Sequence, residues 1–298
     1  MMRTELERIE MKIGLAIPTY NAGTNLNDVL EKIVKSSINI DRKIIVDSES
    51  KDQTVAIAKD KNFEIYSIQQ KTFTHGLVRK KISEILSDCD YIIYMTQDVY
   101  VEPTALENLV KYIAEHPIMA IAYGKQSVDM NKTDIFEKKD RSFNYPDYDM
   151  EKSYADKEQL GIKTVFSSDA FAIYRRAVLL EVNNFPEKLN FSEDMYMAAK
   201  VVKAGYTVGY CSKAIVIHSH SYTLKDQFRR YQSIGEFHGQ NKWIQEEFGT
   251  NEKEGLKSVF SEWKYLIRNN KPLKIPYSIM RTGVKYLGYK SGTRKGKN

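Results

Sequence analysis

The first 120 residues alternate short apolar runs with amphipathic stretches, and that alternation fixes the class of fold open to the chain. Residues 13–20 (IGLAIPTY), 43–48 (KIIVDS), 63–68 (FEIYSI) and 91–98 (YIIYMTQD) have the length and the Ile, Val and Tyr content of buried strands. Between the first two, Leu26, Val29, Leu30, Ile33 and Val34 recur at i, i+3, i+4, i+7 and i+8, the spacing of a helix with one apolar face. Residues 52–60 predict a second helix, and Leu77, Val78, Ile82, Ile85 and Leu86 a third. Leu106, Leu109, Val110 and Ile113 predict a fourth, with Pro103 and Thr104 at its start. Repeated strand–helix units with right-handed crossovers build an α/β fold, a Rossmann-like, mainly parallel sheet with helices on both faces.

With 298 residues, 42% hydrophobic and 28% charged, the chain can bury a core without staples. Cys89 and Cys211 are too few for a disulfide framework or a four-cysteine zinc site, which points to a reducing, cytoplasmic setting. The opening MMRTELERIE lacks the apolar core of a secretion signal, and no run approaches the 18 apolar residues of a membrane span. Periodicity breaks down over 126–160, which predicts a long functional loop. A strand and helix follow over 164–182, a helix over 192–205 ended by Gly205, and strands at 207–210 and 214–218. Residues 1–222 form the expected catalytic domain and 223–298 a helical extension.

The net charge of +6 is concentrated at the end. Residues 271–298 carry Lys271, Lys274, Arg281, Lys285, Lys290, Arg294, Lys295 and Lys297 and no acid, so the remaining body is close to neutral. A nucleic-acid binder would carry a basic face on its body, so no nucleic-acid partner is expected. Leu273, Ile275, Tyr277, Ile279, Met280, Val284, Tyr286, Leu287 and Tyr289 interleave with the cations, the composition of a segment lying on an anionic membrane. A helix packed back on the body, with a frayed end beyond Lys290, is the plainer alternative.

Ligands in open α/β sheets bind at the carboxyl ends of the strands. Pro18, Thr19, Tyr20 and Asn21 end the first predicted strand, Asp47 and Ser48 the second, and Gln97 and Asp98 the fourth. Each could simply cap the helix that follows, but three polar strand ends on one rim favour a site. No dinucleotide glycine motif, P-loop, zincin motif or serine-hydrolase elbow is present. Glu193 and Asp194 are paired acids at a helix start, able to divide the roles of base and positioning group, with Ser192 as a possible cap. His218 and His220 follow a strand.

These motifs together resemble family-2 glycosyltransferases of GT-A fold: PTYNAG, DSESKDQT, the QD pair after YIIYM, and SEDM. FTHGLVR (73–79), YGKQS (123–127), FNYP (143–146), HSHSYT (218–223) and QFRRYQSIG (227–235) are similar to bacterial rhamnosyltransferases that use dTDP-rhamnose. The resemblance spans Ile13 to about Gly239. It implies nucleotide-sugar contacts from Pro18, Thr19, Tyr20, Asn21, Asp47, Ser48, His75, Gly76, Arg79, Gln97 and Asp98. Asp98 takes the place of the last acid of the family's DXD metal motif, and Thr96 stands where its first acid is expected. The implied cofactor is a divalent cation, Mn2+ or Mg2+, with His218 and His220 as further ligands. Arg79, on a helix opened by a glycine turn, and Arg230 are candidates to meet the diphosphate charge. Gln227, Arg230 and Tyr231 resemble the QxxRW motif of processive members, on one helical face at the phosphate and acceptor side.

The reaction so implied is an inverting transfer of L-rhamnose from dTDP-β-L-rhamnose to a sugar hydroxyl, with Asp194 as base beside Glu193. The implied acceptor is a polyprenyl-diphosphate-linked precursor of a cell-surface polysaccharide, met at the inner face of the cell membrane. A UDP-hexose donor is an alternative, since an Asp47 carboxylate accepts equally from thymine and uracil N3–H. A non-catalytic membrane-bound scaffold is the reading from outside the enzymes.

Overall fold

The computed structural model describes residues 11–130, 133–220, 222–250 and 252–297; the opening ten residues, with the expectation made for them, lie outside. The chain opens with β1 (Ile13–Thr19), α1 (Gly23–Val34), β2 (Arg42–Asp47), α2 (Thr54–Asp60), β3 (Glu64–Ser67), α3 (His75–Ile85) and β4 (Tyr91–Met95). It continues through β5 (Tyr100–Val101), α4 (Ala105–Ala114), β6 (Met119–Ser127), α5 (Ile135–Asn144), β7 (Met150–Lys152) and α6 (Lys157–Leu160). Then come β8 (Phe171–Arg175), α7 (Arg176–Glu181), α8 (Glu193–Lys203) and β9 (Thr207–Ile217). The chain closes with α9 (Leu224–Gln240), α10 (Lys242–Phe248), α11 (Glu252–Arg268) and α12 (Ile275–Lys295).

One sheet runs in the order β3-β2-β1-β4-β8-β6-β9-β5, with β7 on β9. The first four strands are parallel, as the sequence predicts. β8 then enters antiparallel between β4 and β6, which makes the whole a mixed sheet. Strand order reverses at β1, whose neighbours are β2 and β4, so the ligand crevice of an open α/β sheet falls at their carboxyl ends. Each strand feeds both faces by alternation. Ala16, Ile44, Ile92 and Tyr94 pack under α3 and α8. Leu15, Ile17, Ile45 and Ile93 pack under α1 and α4.

Three sequence expectations need correction. The two strands at 207–210 and 214–218 are one strand, β9, in which Gly124 faces Cys211 and the next residue, Lys125, faces Ile215. The extra residues bulge against β6, and a Cβ on Gly124 would come 2.4 Å from the Ala214 carbonyl oxygen. Past the bulge, β9 pairs with β5 through Tyr100↔Ile217 and Val101↔Val216, which draws the segment after β9 alongside Asp98. Second, the region 126–160 is not a loop. It holds α5, capped by the Asp134 side chain on the Phe136 and Glu137 N–H groups, and β7. Its helical pattern is masked because only Phe136 and Lys139 of α5 are buried, while its charged residues bond to neighbouring elements.

Third, the chain beyond Lys290 is not frayed. α12 runs to Lys295 and lies parallel to α9 at backbone contact. Gly288, Gly292 and Gly296 face the carbonyls of Phe228, Gln232 and Glu236 in that order, and Gly235 faces that of Tyr289. A Cβ on Gly292 would sit 1.9 Å from the Gln232 oxygen, so glycine at every fourth position is what lets the backbones meet. The tail cations on the inner stripe are paired. Arg281 is buried on Glu262 (3.1 Å) and Asp140 (3.3 Å), and Lys295 reaches Glu236 at 2.8 Å.

Gly292→Leu is therefore expected to lose at least about 1–3 kcal/mol in urea unfolding by overpacking this seam. Gly283→Ala on the same helix, where a Cβ meets open space, is expected to gain about 0.5–1 kcal/mol. Equal effects from the two would refute the close-packed seam.

Candidate active site

At the carboxyl ends of β1, β2 and β4 the polar groups bond to one another, and Asp52 also accepts from Thr54 N at the start of α2. Asp47 is buried and accepts from Thr19 Oγ1 (3.0 Å), Ser50 N (2.9 Å) and Ser50 Oγ (2.6 Å). Its remaining capacity is one lone pair on Oδ2. Asn21, at φ 46°, donates its N–H to Ser50 Oγ, and its Oδ1 accepts from the Lys51 N–H. Asp52, from the β2–α2 turn, accepts from Gly23 N at the start of α1. Gln97 brackets the Tyr20 backbone, accepting from its N–H (2.8 Å) and donating to its C=O (3.3 Å). Gln97 was expected to touch the donor; here both ends of its amide are engaged in holding β1 to β4. Pro18 and exposed Tyr20 line the rim, and Ser48 Oγ is buried with no hydrogen-bond partner among the described residues.

On the other side of β4 stands a cluster of acids around one cation. Ser192, at φ 57°, turns the chain into α8 but makes no side-chain cap, so the capping explanation of that serine fails. Glu193 is buried and Asp194 half-buried. Arg79 Nε lies 2.9 Å from Glu193 Oε1 and 2.8 Å from Asp169 Oδ2. Tyr174 donates to the other Asp169 oxygen at 2.6 Å. Arg79 is 2% exposed, so it cannot extend to a phosphate; the expected contact with the donor is replaced by a buried structural ion pair. The preceding residues serve the same purpose. Thr74 caps α3 and bonds the Glu187 carbonyl. Gly76 passes under Pro186, where a Cβ would meet the carbonyl at 2.0 Å, and its N–H holds Leu189 O at 2.9 Å. His75 Nδ1 faces Glu193 Oε1 at 3.9 Å from the solvent side.

Three carboxylates share one guanidinium, and their proton affinities divide accordingly. Burial and the charges of Glu193 and Asp169 push Asp194 up to about 8. Burial and Glu193 likewise raise Asp169, against Arg79. Glu193 stays below its ordinary value: burial opposes this, but Arg79 and His75 outweigh it.

Asp98 meets two imidazoles. His218 Nε2 is 3.4 Å and His220 Nε2 3.7 Å from Asp98 Oδ2, and one ligand atom from each residue lies within 4.8 Å of the others. One carboxylate oxygen and two imidazole nitrogens on a common point fit a divalent cation, Mn2+ better than Mg2+. Burial works against ionising Asp98, yet a hydrogen bond and positive charge from His218, and the charge of His220, hold its carboxyl well below the usual range when those rings are protonated. Arg230 stands beside this group, exposed, its guanidinium stacked on Phe191 at 5.2 Å and Tyr222 at 5.6 Å, with no carboxylate partner among the described residues. Gln227 and Tyr231 do not converge with it. Gln227 is buried, and the Tyr231 ring is turned to Lys285 of α12 at 5.4 Å.

Residues 15–182 match the family described as glycosyl transferase family 2. The chain belongs to glycosyltransferase family 2. Within the matched span lie the nucleotide-side strand ends, Arg79, Asp98 and Asp169. Similarity continues past it. The chain is 45% identical over 286 residues, 95% of its length and 90% of the other, to the O-antigen chain rhamnosyltransferase RfbN of Salmonella typhimurium. It is 39% identical over 93% of its length and 88% of the other to WbaN, an O-antigen chain rhamnosyltransferase of Salmonella anatum. Among solved structures, the mannosyltransferase PcManGT from Pyrobaculum calidifontis, in complex with GDP-Man and Mn2+, superposes with a TM-score of 0.64. It shares 12% identity, with 96% of this chain and 86% of that one covered. S. aureus TarS 1-349 in complex with UDP gives 0.56 at 15% identity, covering 96% and 91%. These likenesses are of fold, the GT-A arrangement of a family-2 enzyme.

Asp169 carries no motif and was not anticipated; the sequence signal was an acid abutting an apolar strand (DAFAIY). Arg79→Met should strip the counter-charge from two buried carboxylates and lower unfolding stability by about 3–5 kcal/mol at pH 8. Because its acids are neutralised by protons instead, the same variant should recover part of that loss as pH falls towards 5. A loss independent of pH in denaturant titrations would show that Arg79 acts through packing alone.

Proposed function

We propose that this enzyme transfers L-rhamnose from dTDP-β-L-rhamnose, with inversion, to a sugar hydroxyl of a lipid-linked polysaccharide precursor. The observation that carries the donor is the 45% identity to an O-antigen chain rhamnosyltransferase over 95% of this chain. Asp194 is the base. It is half-buried, next to a cluster whose negative charge raises its proton affinity, and it takes the proton of the acceptor hydroxyl. The freed oxygen attacks the anomeric carbon opposite the nucleoside diphosphate, and a β-linked donor gives an α-rhamnoside. Arg230, exposed and unpaired with any described acid, meets the diphosphate charge in place of Arg79. Asp98, His218 and His220 would hold a divalent cation, which supplies positive charge to the leaving diphosphate. Tyr20 and the remaining Asp47 lone pair serve the nucleotide.

The test is a donor screen on the full chain with product linkage determination: dTDP-rhamnose should be used and UDP-hexoses should not. Preference for a UDP-hexose would replace the donor assignment, and no turnover with any donor would favour the scaffold reading. Asp194→Asn should retain donor binding and lose roughly 10²–10⁴ in turnover. The base must be ionised to act, so kcat/KM should rise with pH through the raised value of Asp194. Asp169→Asn removes a neighbouring negative charge and should move that rise to lower pH. An unshifted profile would detach Asp169 from the base.

The partner surface is the outer stripe of α12. Ile279, Met280, Tyr286 and Leu287 are exposed there, as is Leu273 in the turn before the helix, with Lys271, Lys274 and Arg294 also exposed along the same segment. Apolar groups flanked by cations suit an anionic bilayer, which would bring the enzyme to a lipid-linked acceptor at the inner face of the cell membrane. Among the described residues no helix is long and apolar enough to cross a membrane. Since α12 is packed into the body, truncation would disturb the fold, and outward substitutions are the informative change. Met280→Glu with Leu287→Glu should abolish sedimentation with anionic liposomes at low salt while leaving the melting temperature within a few degrees. Unchanged sedimentation would exclude this face.

A further inference from the structure

Gln126 and Arg141 have no part in the site as built so far, yet they decide how His218 presents itself. Gln126, on β6, is 3% exposed. Its Nε2 donates to Ser168 Oγ at 2.6 Å. Its Oε1 receives two groups, the Arg141 guanidinium and, at 2.8 Å, His218 Nδ1. A guanidinium can only donate, so the amide atom facing Arg141 must be the oxygen. An oxygen cannot donate, so His218 Nδ1 must carry the hydrogen. The lone pair of the neutral ring then lies on Nε2, the atom 3.4 Å from Asp98 Oδ2. Reversing the amide would set its NH2 against the guanidinium, which excludes the other tautomer.

α5 fixes the rest of the segment. Arg141 Nη2 donates to the His218 carbonyl at 2.9 Å, and Glu137 Oε1 accepts from the His220 N–H at 2.7 Å. Glu137 and Arg141 lie 3.7 Å apart, one turn from each other on the helix. β6 delivers Gln126 to this point because the bulge beside Gly124 resets the register, pairing Gln126 with Val216 and Ser127 with Ile217. The His218 N–H continues that ladder to Ser127 O at 2.9 Å.

We propose that Gln126 and Arg141 are positioning residues for the divalent cation: together they lock His218 as the Nδ1–H tautomer, with Nε2 free to ligate. The inference rests on the reading of Asp98, His218 and His220 as a cation site. A partner behind a ligating imidazole typically changes metal affinity by about 10–100-fold.

The test is Mn2+ binding to the whole protein without donor, followed by the free-ion EPR signal. Wild type should bind one Mn2+. Gln126→Met, which keeps the side-chain volume but offers no acceptor to Nδ1, should bind about 10–100-fold more weakly. Gln126→Glu, which accepts from both Arg141 and Nδ1, should stay within a few-fold of wild type. That rescue separates positioning from mere filling of the core. If Gln126→Met does not fold, Arg141→Met, which frees the amide to turn, takes its place under the same criterion. Equal affinity in wild type and the Met variant overturns the proposal, as does a Glu variant as weak as the Met one. Absence of Mn2+ binding in wild type itself overturns the cation site beneath it.

Discussion

A single buried guanidinium ties together the elements that make this site. Arg79 projects from α3, Glu193 begins α8 and Asp169 leads into β8, so three separate segments of chain converge on one cation. Two charges of opposite sign would already satisfy a buried pair. A second acid shares the guanidinium and a third, Asp194, lies next to it, and surplus negative charge is relieved by holding a proton. Burial first, and then the charges of Glu193 and Asp169, raise the proton affinity of Asp194.

The second constraint is the pairing of β5 with β9. Asp98 leaves β4 in the first half of the chain and His218 leaves β9 more than a hundred residues later; a two-residue strand brings them together. On the other edge of β9, a bulge opposite Gly124 sets the phase of its pairing with β6, and a one-residue slip there would turn Gln126 away from His218. The acids and the histidines are placed by different elements, yet they are linked: Gln126, which holds His218, also bonds Ser168, the residue before Asp169.

Much of this was legible in the amino-acid sequence. The parallel strands β1 to β4, their helices and the polar strand ends followed from apolar periodicity, and the paired acids and histidines from local motif. What was not legible depended on partners far along the chain. Arg79 has the same letter whether it reaches a phosphate or a buried acid; only the position of Asp169 decides. α5 shows little apolar periodicity because its charged residues are held by Gln126, His220 and Arg281 rather than by water. The tail cations likewise gave no sign that Arg281 is turned inward onto Asp140 and Glu262. The fourfold glycine spacing of 288, 292 and 296 was visible and would have announced a packed helix.

α5 has a second neighbour besides the histidine segment. Phe136 lies against Tyr277 and under Arg281, and Asp140 holds Arg281 and Lys285. The helix that holds the backbone of His218 and His220 is thus itself braced by α12. α5 acts as a coupling rod between the two. A disturbance of α12, remote from the strand ends, has a mechanical route to the histidine segment through Asp140 and Arg141, one residue apart on the same helix.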